Sequence, residues 1–129
     1  MGDWWTPIVM RSAFFGCERF EQFQETLGVS RATLTARLTR LVDEGYLSRT
    51  AYQSAPVRYE YRPTEKGRAF FDVLAAMWRF GEDWLFVGGD APPLQLARRD
   101  TRAPVAPLVV DEHTGTRLDV REIRAQRRR

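Results

Sequence analysis

One cysteine, one histidine and one lysine are all that this chain holds of three residue types that commonly carry chemistry or surface charge. A single thiol, Cys17, excludes an intrachain disulfide, and nothing in the cysteine usage requires an oxidising compartment. A single imidazole, His113, flanked by Asp111, Glu112 and Thr114 with no cysteine nearby, cannot assemble a tetrahedral site of about four N or S ligands, so no metal and no cofactor is expected. The same scarcity leaves no Ser-His-Asp constellation. Gly88-Gly89 lacks the Lys and Ser/Thr that follow in a phosphate loop. The acidic pairs Asp43-Glu44 and Glu82-Asp83 have no acid–base partner, so an enzyme is the least supported class. No apolar run approaches the roughly 20 residues of a membrane helix, and no basic n-region precedes an apolar h-region. The expected partners include no membrane, and the expected address is the cytoplasm.

What is there suits one small domain with an appendage: 129 residues, 43 % hydrophobic and 12 % aromatic, enough apolar matter for a core. The net charge is +3, and nineteen of the twenty basic residues are Arg, the exception being Lys66. Arginine favours bidentate contacts to phosphates and base edges, although a GC-rich coding bias produces the same excess with no function attached. The charge is also uneven. Residues 1–86 balance, with 11 basic and 11 acidic side chains, whereas residues 87–129 carry 9 and 6. Within residues 31–62, six Arg face only Asp43, Glu44 and Glu60, and a local basic stripe matters more for nucleic acid than the global sum.

The pattern predicts a largely buried helix over 4–15, with Pro7 confined to its first turn. A short helix over 20–27 follows, with Phe20, Phe23 and Leu27 on one face and Gly28 as its C-cap. Ser30 offers an N-cap to a helix from Arg31 to about Glu44, whose stripe is Leu34, Leu38, Leu41 and Val42, closed by Gly45. Its other face is short and acid-poor: Ala32, Thr35, Ala36, Thr39 and Arg40, with Thr33 and Asp43 at the margins. A helix lying in a major groove needs small and basic groups there. Two strand-like runs, 46–52 and 57–62, flank a loop over 53–56. Thr64 caps a single long helix over about 65–86, whose apolar set (Phe70, Phe71, Leu74, Met77, Trp78, Trp84, Leu85) is wider than one core stripe requires. After a Gly/Pro-rich linker at 88–93 come β-like pieces at 94–97, 105–110 and 118–123, a turn at 113–116, and a frayed basic end.

Helix, turn, helix and hairpin is the order of a winged helix-turn-helix, in which the second helix enters the major groove by its N-terminal half and the hairpin reaches the adjacent backbone. At this point residues 4–86 resemble the HxlR-type regulators of bacteria. The matching pieces are Gly16, Arg19-Phe20 and Phe23; Leu27-Gly28-Val29-Ser30; Leu34, Arg37-Leu38 and Leu41; Glu44-Gly45-Tyr46-Leu47 and Arg49; Pro56 and Arg58-Tyr59-Glu60-Tyr61; Thr64-Glu65-Lys66-Gly67; and Trp78, Gly81 and Trp84. The resemblance implies a dimeric transcription factor, often a repressor, on a palindromic operator, paired through the N-terminal segment and the long C-terminal helix. It also implies that some members sense small aromatic or electrophilic compounds, some through a cysteine. Relatives usually carry about a dozen further residues before the position of Trp4, often with a cysteine, and some carry Cys pairs arranged like a zinc ribbon in the tail. With the sequence starting close to Trp4 and no Cys in the tail, neither a cysteine switch at the usual place nor a structural zinc is expected.

The expected fold is therefore α+β, mainly α: a winged helix-turn-helix with a C-terminal dimerisation helix over 1–87, and a small β-like extension with a hairpin and a basic tail over 88–129. The expected partners are double-stranded DNA, a second copy of the chain, and a small aromatic or electrophilic effector. The expected DNA contacts are Ser30, Arg31, Ala32, Thr33, Thr35, Ala36, Arg37 and Arg40 on the recognition helix, with Ser54 and Arg58 on the wing. The expected dimer contacts are Trp4, Trp5, Met77, Trp78, Gly81, Trp84 and Leu85. Cys17 has two readings, a redox sensor or a small partly buried hydrophobe, and its neighbour Glu18 favours the second. The tryptophans read as core and interface before they read as a ligand pocket. The competing class is a winged helix that joins protein to protein and reads no DNA sequence.

Overall fold

A computed structural model describes residues 4–85 and 94–129. The chain divides into two compact units, Met1–Leu74 and Ala75–Arg129. In the first, α1 (Trp5–Phe14), α2 (Phe20–Leu27) and α3 (Arg31–Asp43) precede an antiparallel hairpin of β1 (Leu47–Ser54) and β2 (Val57–Pro63), then α4 (Glu65–Ala69). Helix α5 (Phe71–Trp84) follows, its residues from Ala75 onward belonging to the second unit. The order is that of a winged helix-turn-helix, mainly helical, as the sequence predicts.

The helix ends follow the local chemistry. Gly28 closes α2 in the left-handed conformation at φ 65°, which costs a residue without Cβ nothing. The Ser30 hydroxyl accepts the Thr33 amide at the start of α3. Thr64 likewise accepts the Gly67 amide at the start of α4. The core of the first unit is one cluster. Val9 and Met10 of α1, Phe23 of α2, Leu34 and Leu38 of α3 and Leu47 of β1 are all below 2 % exposed, with Leu41, Tyr46, Tyr61 and Phe70 around them. Ring edges lock this cluster: Phe23 meets Tyr61 at 6.4 Å and 90°, and Tyr46 meets Phe70 at 5.8 Å and 80°. Because Leu34, Leu38 and Leu41 anchor α3 from beneath, its opposite face has to point outward.

Three expectations need correction. The long helix over 65–86 is divided at Phe70, although backbone bonding continues through it, since Phe70 O accepts from both Val73 N and Leu74 N. Phe70 turns into the core there, and Gly67 lies so close to the Tyr46 carbonyl that a Cβ would have no room. The end of that predicted helix, Phe86, lies outside the described residues. The hairpin strands are longer than 46–52 and 57–62, so a two-residue turn at Ala55-Pro56 replaces the four-residue loop, with an irregularity in register between Ala51 and Gln53. In the tail, residues 94–129 form no regular strand. The β-like runs are reduced to the single bridges Ala97↔Pro104 and Val110↔Arg117, and Val120–Glu122 is a 3-10 turn. Pro104 and Pro107 remove two backbone donors from the run that would have to propagate a ladder.

Candidate nucleic-acid interface

The helix that the core pins from below presents Arg31, Ala32, Thr35, Ala36, Thr39 and Arg40 to solvent, with Thr33 and Arg37 half-buried. The two alanines leave room for close approach to base edges and thymine methyls. Part of the polar capacity is already spent. Ser30 Oγ donates to Thr33 Oγ1 at 2.9 Å, which ties both residues to the cap. Thr35 Oγ1 donates to the Arg31 carbonyl at 2.8 Å, leaving its oxygen as an acceptor.

The cations divide into two kinds. Arg40 is paired with Glu44 at 2.9 Å on its own helix, and Arg58 of the wing lies 3.6 Å from Glu21 of α2. Arg31 instead lies over the Phe20 ring, 4.7 Å from its centroid, and Arg37 over Trp5 at 5.0 Å. On the Phe20 ring the Arg31 guanidinium keeps its N–H edge available, whereas one on a carboxylate must give up that partner to bind a phosphate. Ser54 is exposed at the end of β1, immediately before the hairpin turn. All ten predicted DNA contacts lie on α3, at its N-cap or on the hairpin.

Sequence reasoning missed the group that holds the wing. The segment before α2 pairs with β2 through the bridge Arg19↔Glu60, and Tyr61 N donates to Glu18 O at 2.7 Å. Arg19 lies over the Tyr52 ring at 4.1 Å and 3.5 Å from Glu60, whose other oxygen meets Arg62 at 3.1 Å. Arg49 lies over Tyr59 at 4.3 Å and beside Tyr61. Burial pushes the Tyr61 phenol above its ordinary value of 10.0, and Arg49 partly opposes this. Alternation along 57–62 was a usable signal for the strand. The partners at 18–21 are remote in sequence and carried none. Lys66, the one lysine, is exposed, but it donates to Glu44 O at 2.8 Å and lies over Tyr46, so it braces α4 against the turn after α3.

The predicted dimer residues fall at the start of the first unit and on the α5 portion of the second. Trp4, just before α1, is 84 % exposed, whereas Trp5 is half-buried. On α5 no described residue is buried; Met77 is exposed, Trp84 is 68 % exposed and Leu85, just beyond the helix, 69 %. Trp78 and Gly81 are half-buried, and the Trp78 indole donates to Glu82 at 3.0 Å. Cys17 is half-buried with its Sγ 3.5 Å from Thr26 Oγ1. Among the described residues no three His, Cys, Asp or Glu side chains gather as a metal-ligand set, and no helix is long and apolar enough to cross a membrane.

Comparison with known proteins agrees with this geometry. Residues 1–87 match the family model described as HxlR-like helix-turn-helix. An HTH-type transcriptional regulator of Mycobacterium tuberculosis is 35 % identical over 95 % of this chain and 77 % of its own length. One from Synechocystis is 42 % identical over 63 % of this chain and 61 % of its own. Among solved structures, that of PA1607, described as a transcription factor, has a TM-score of 0.86 at 38 % identity, covering 98 % of this chain and 88 % of that one. The reduced form of the transcriptional regulator YodB from B. subtilis has a TM-score of 0.57 at 27 % identity, over 67 % of this chain and 86 % of that one. The chain therefore belongs to the HxlR-like helix-turn-helix family of transcriptional regulators.

Proposed function

We propose that this transcriptional regulator is a repressor that binds a palindromic operator as a homodimer, each protomer placing residues 30–40 in one major groove. The observation that carries this reading is the outward face of α3, where exposed alanines, hydroxyls and arginines stand on a helix whose only acid, Asp43, comes at its end. Arg31, Thr33, Thr35 and Arg40 contact base edges or phosphates, Ser30 and Arg37 support them, and Ala32 and Ala36 permit the close approach. Ser54 and Arg58 contact the backbone beside the groove. Two-fold symmetry sets the half-sites about one helical turn apart.

Residues 1–87 form the DNA-binding and dimerisation domain and residues 88–129 an extension with a hairpin turn and a basic tail. Trp4, Trp5, Met77, Trp78, Gly81, Trp84 and Leu85 meet the partner. Support for this comes from the apolar side chains that α1 and α5 each leave in solvent, since large exposed apolar surfaces mark interaction sites. A small aromatic or electrophilic effector acts near the aromatic residues of α5, and the protein works in the cytoplasm without catalysing a reaction.

The experiment is binding of the purified protein to the DNA upstream of its own gene and to random DNA over a salt series. Tight binding that prefers the upstream DNA, with log Kd changing by about 0.9 per phosphate neutralised for each decade of salt, is expected. Equal, weak binding to both DNAs would overturn the reading and redirect the search to a protein partner.

A further inference from the structure

The first residue of α2 and the first residue of α3 meet across the turn between the two helices. Phe20 is half-buried against the core cluster, and the Arg31 guanidinium lies over its ring at 4.7 Å. The ring is well held, because Gln22 Oε1 accepts the amides of Glu18 and Arg19 at 2.9 and 3.0 Å and so fixes the start of α2. Arg31 itself is exposed and, among the described residues, forms no ion pair or side-chain hydrogen bond. In this it differs from Arg40 and Arg58, each of which has a carboxylate partner.

We infer that Phe20 is a positioning residue for Arg31, seating its guanidinium over the ring so that a base edge in the major groove meets a side chain already in place. The inference rests on the DNA-binding reading above and assigns a role to a residue outside the contact surface. The physics has two parts. An arginine loses rotamer entropy on being fixed, and a ring that narrows its range in the unbound protein removes part of that loss from binding. A ring also occupies the face of the guanidinium and leaves all five N–H donors at its edge, so bidentate recognition of guanine O6 and N7 needs no carboxylate to be displaced. Specificity then depends on a side chain that touches no DNA.

The test compares wild type, Phe20→Leu, Phe20→Tyr, Arg31→Ala and the Phe20→Leu/Arg31→Ala pair on upstream and random DNA at one salt concentration. The Arg31 side-chain NMR signals of the free protein are recorded in parallel. Expected are ring-shifted Arg31 signals that Phe20→Leu abolishes, and a loss of about two- to fivefold in upstream affinity with little change on random DNA. Phe20→Tyr, which keeps the ring, restores both. Arg31→Ala costs about fivefold to a hundredfold, and adding Phe20→Leu to it costs nothing more. Equal losses on both DNAs, additive losses in the pair, or unshifted Arg31 signals would overturn the inference while wild-type preference stands. Absence of preference in wild type would overturn the DNA-reading role itself, and the inference with it.

Discussion

At the scale of single residues, partners matter more than residue type. The six arginines of residues 31–62 look equivalent as a string, yet the fold spreads them between carboxylates and rings. Exposed ion pairs such as Arg58–Glu21 add little stability, typically 0–1 kcal/mol, so their significance lies in what a phosphate would have to displace. Tyr61 yields a prediction on pH. Its phenol is buried and held above 10.0, so folding favours the neutral form. That contribution is complete below the unfolded value and is lost as pH rises through the higher folded one. Urea unfolding at about pH 8 and about pH 11 should therefore show an alkaline loss of stability that is smaller in Tyr61→Phe, whose ring still packs on Phe23.

At the scale of elements, periodicity and caps placed α1, α2 and α3 to within a residue or two, because those signals act over four or five positions. They failed where a remote segment intervenes. The division at Phe70 accompanies the close approach of Gly67 to the Tyr46 carbonyl, a contact between positions some twenty residues apart. Gly67→Ala should thus destabilise the domain by about 1–3 kcal/mol through overpacking, even though alanine is the better helix former. Thermal unfolding checks this, and an unchanged or raised Tm would show that Tyr46 can yield. The tail erred the other way. Its apolar runs looked like strands, but a strand needs a neighbour, and residues 94–129 form only isolated bridges.

At the scale of the whole molecule, the most telling feature is how much apolar side chain α5 leaves in solvent, with Phe71, Val73, Met77, Phe80 and Trp84 all exposed. If a second copy covers it, as proposed, Met77→Glu should shift the protein from dimer to monomer in sedimentation velocity at micromolar concentration. The helical circular dichroism of the domain should stay intact, since this side chain is outside the core. Operator affinity should fall with the dimer, because each protomer then holds a single half-site.

Local spacing and capping suffice for the order of elements, the buried stripe of α3 and hence the outward, acid-poor face that carries the proposed reading. The amino-acid string also holds enough ordered pieces, from Gly16 to Trp84, to identify the family. Long-range packing sets which arginine sits over a ring and which beside a carboxylate, how the segment at 18–21 holds the wing, and where the long C-terminal helix divides. Those outcomes depend on contacts between distant positions, and hydrophobic periodicity records which face of a helix is buried but not what lies against it.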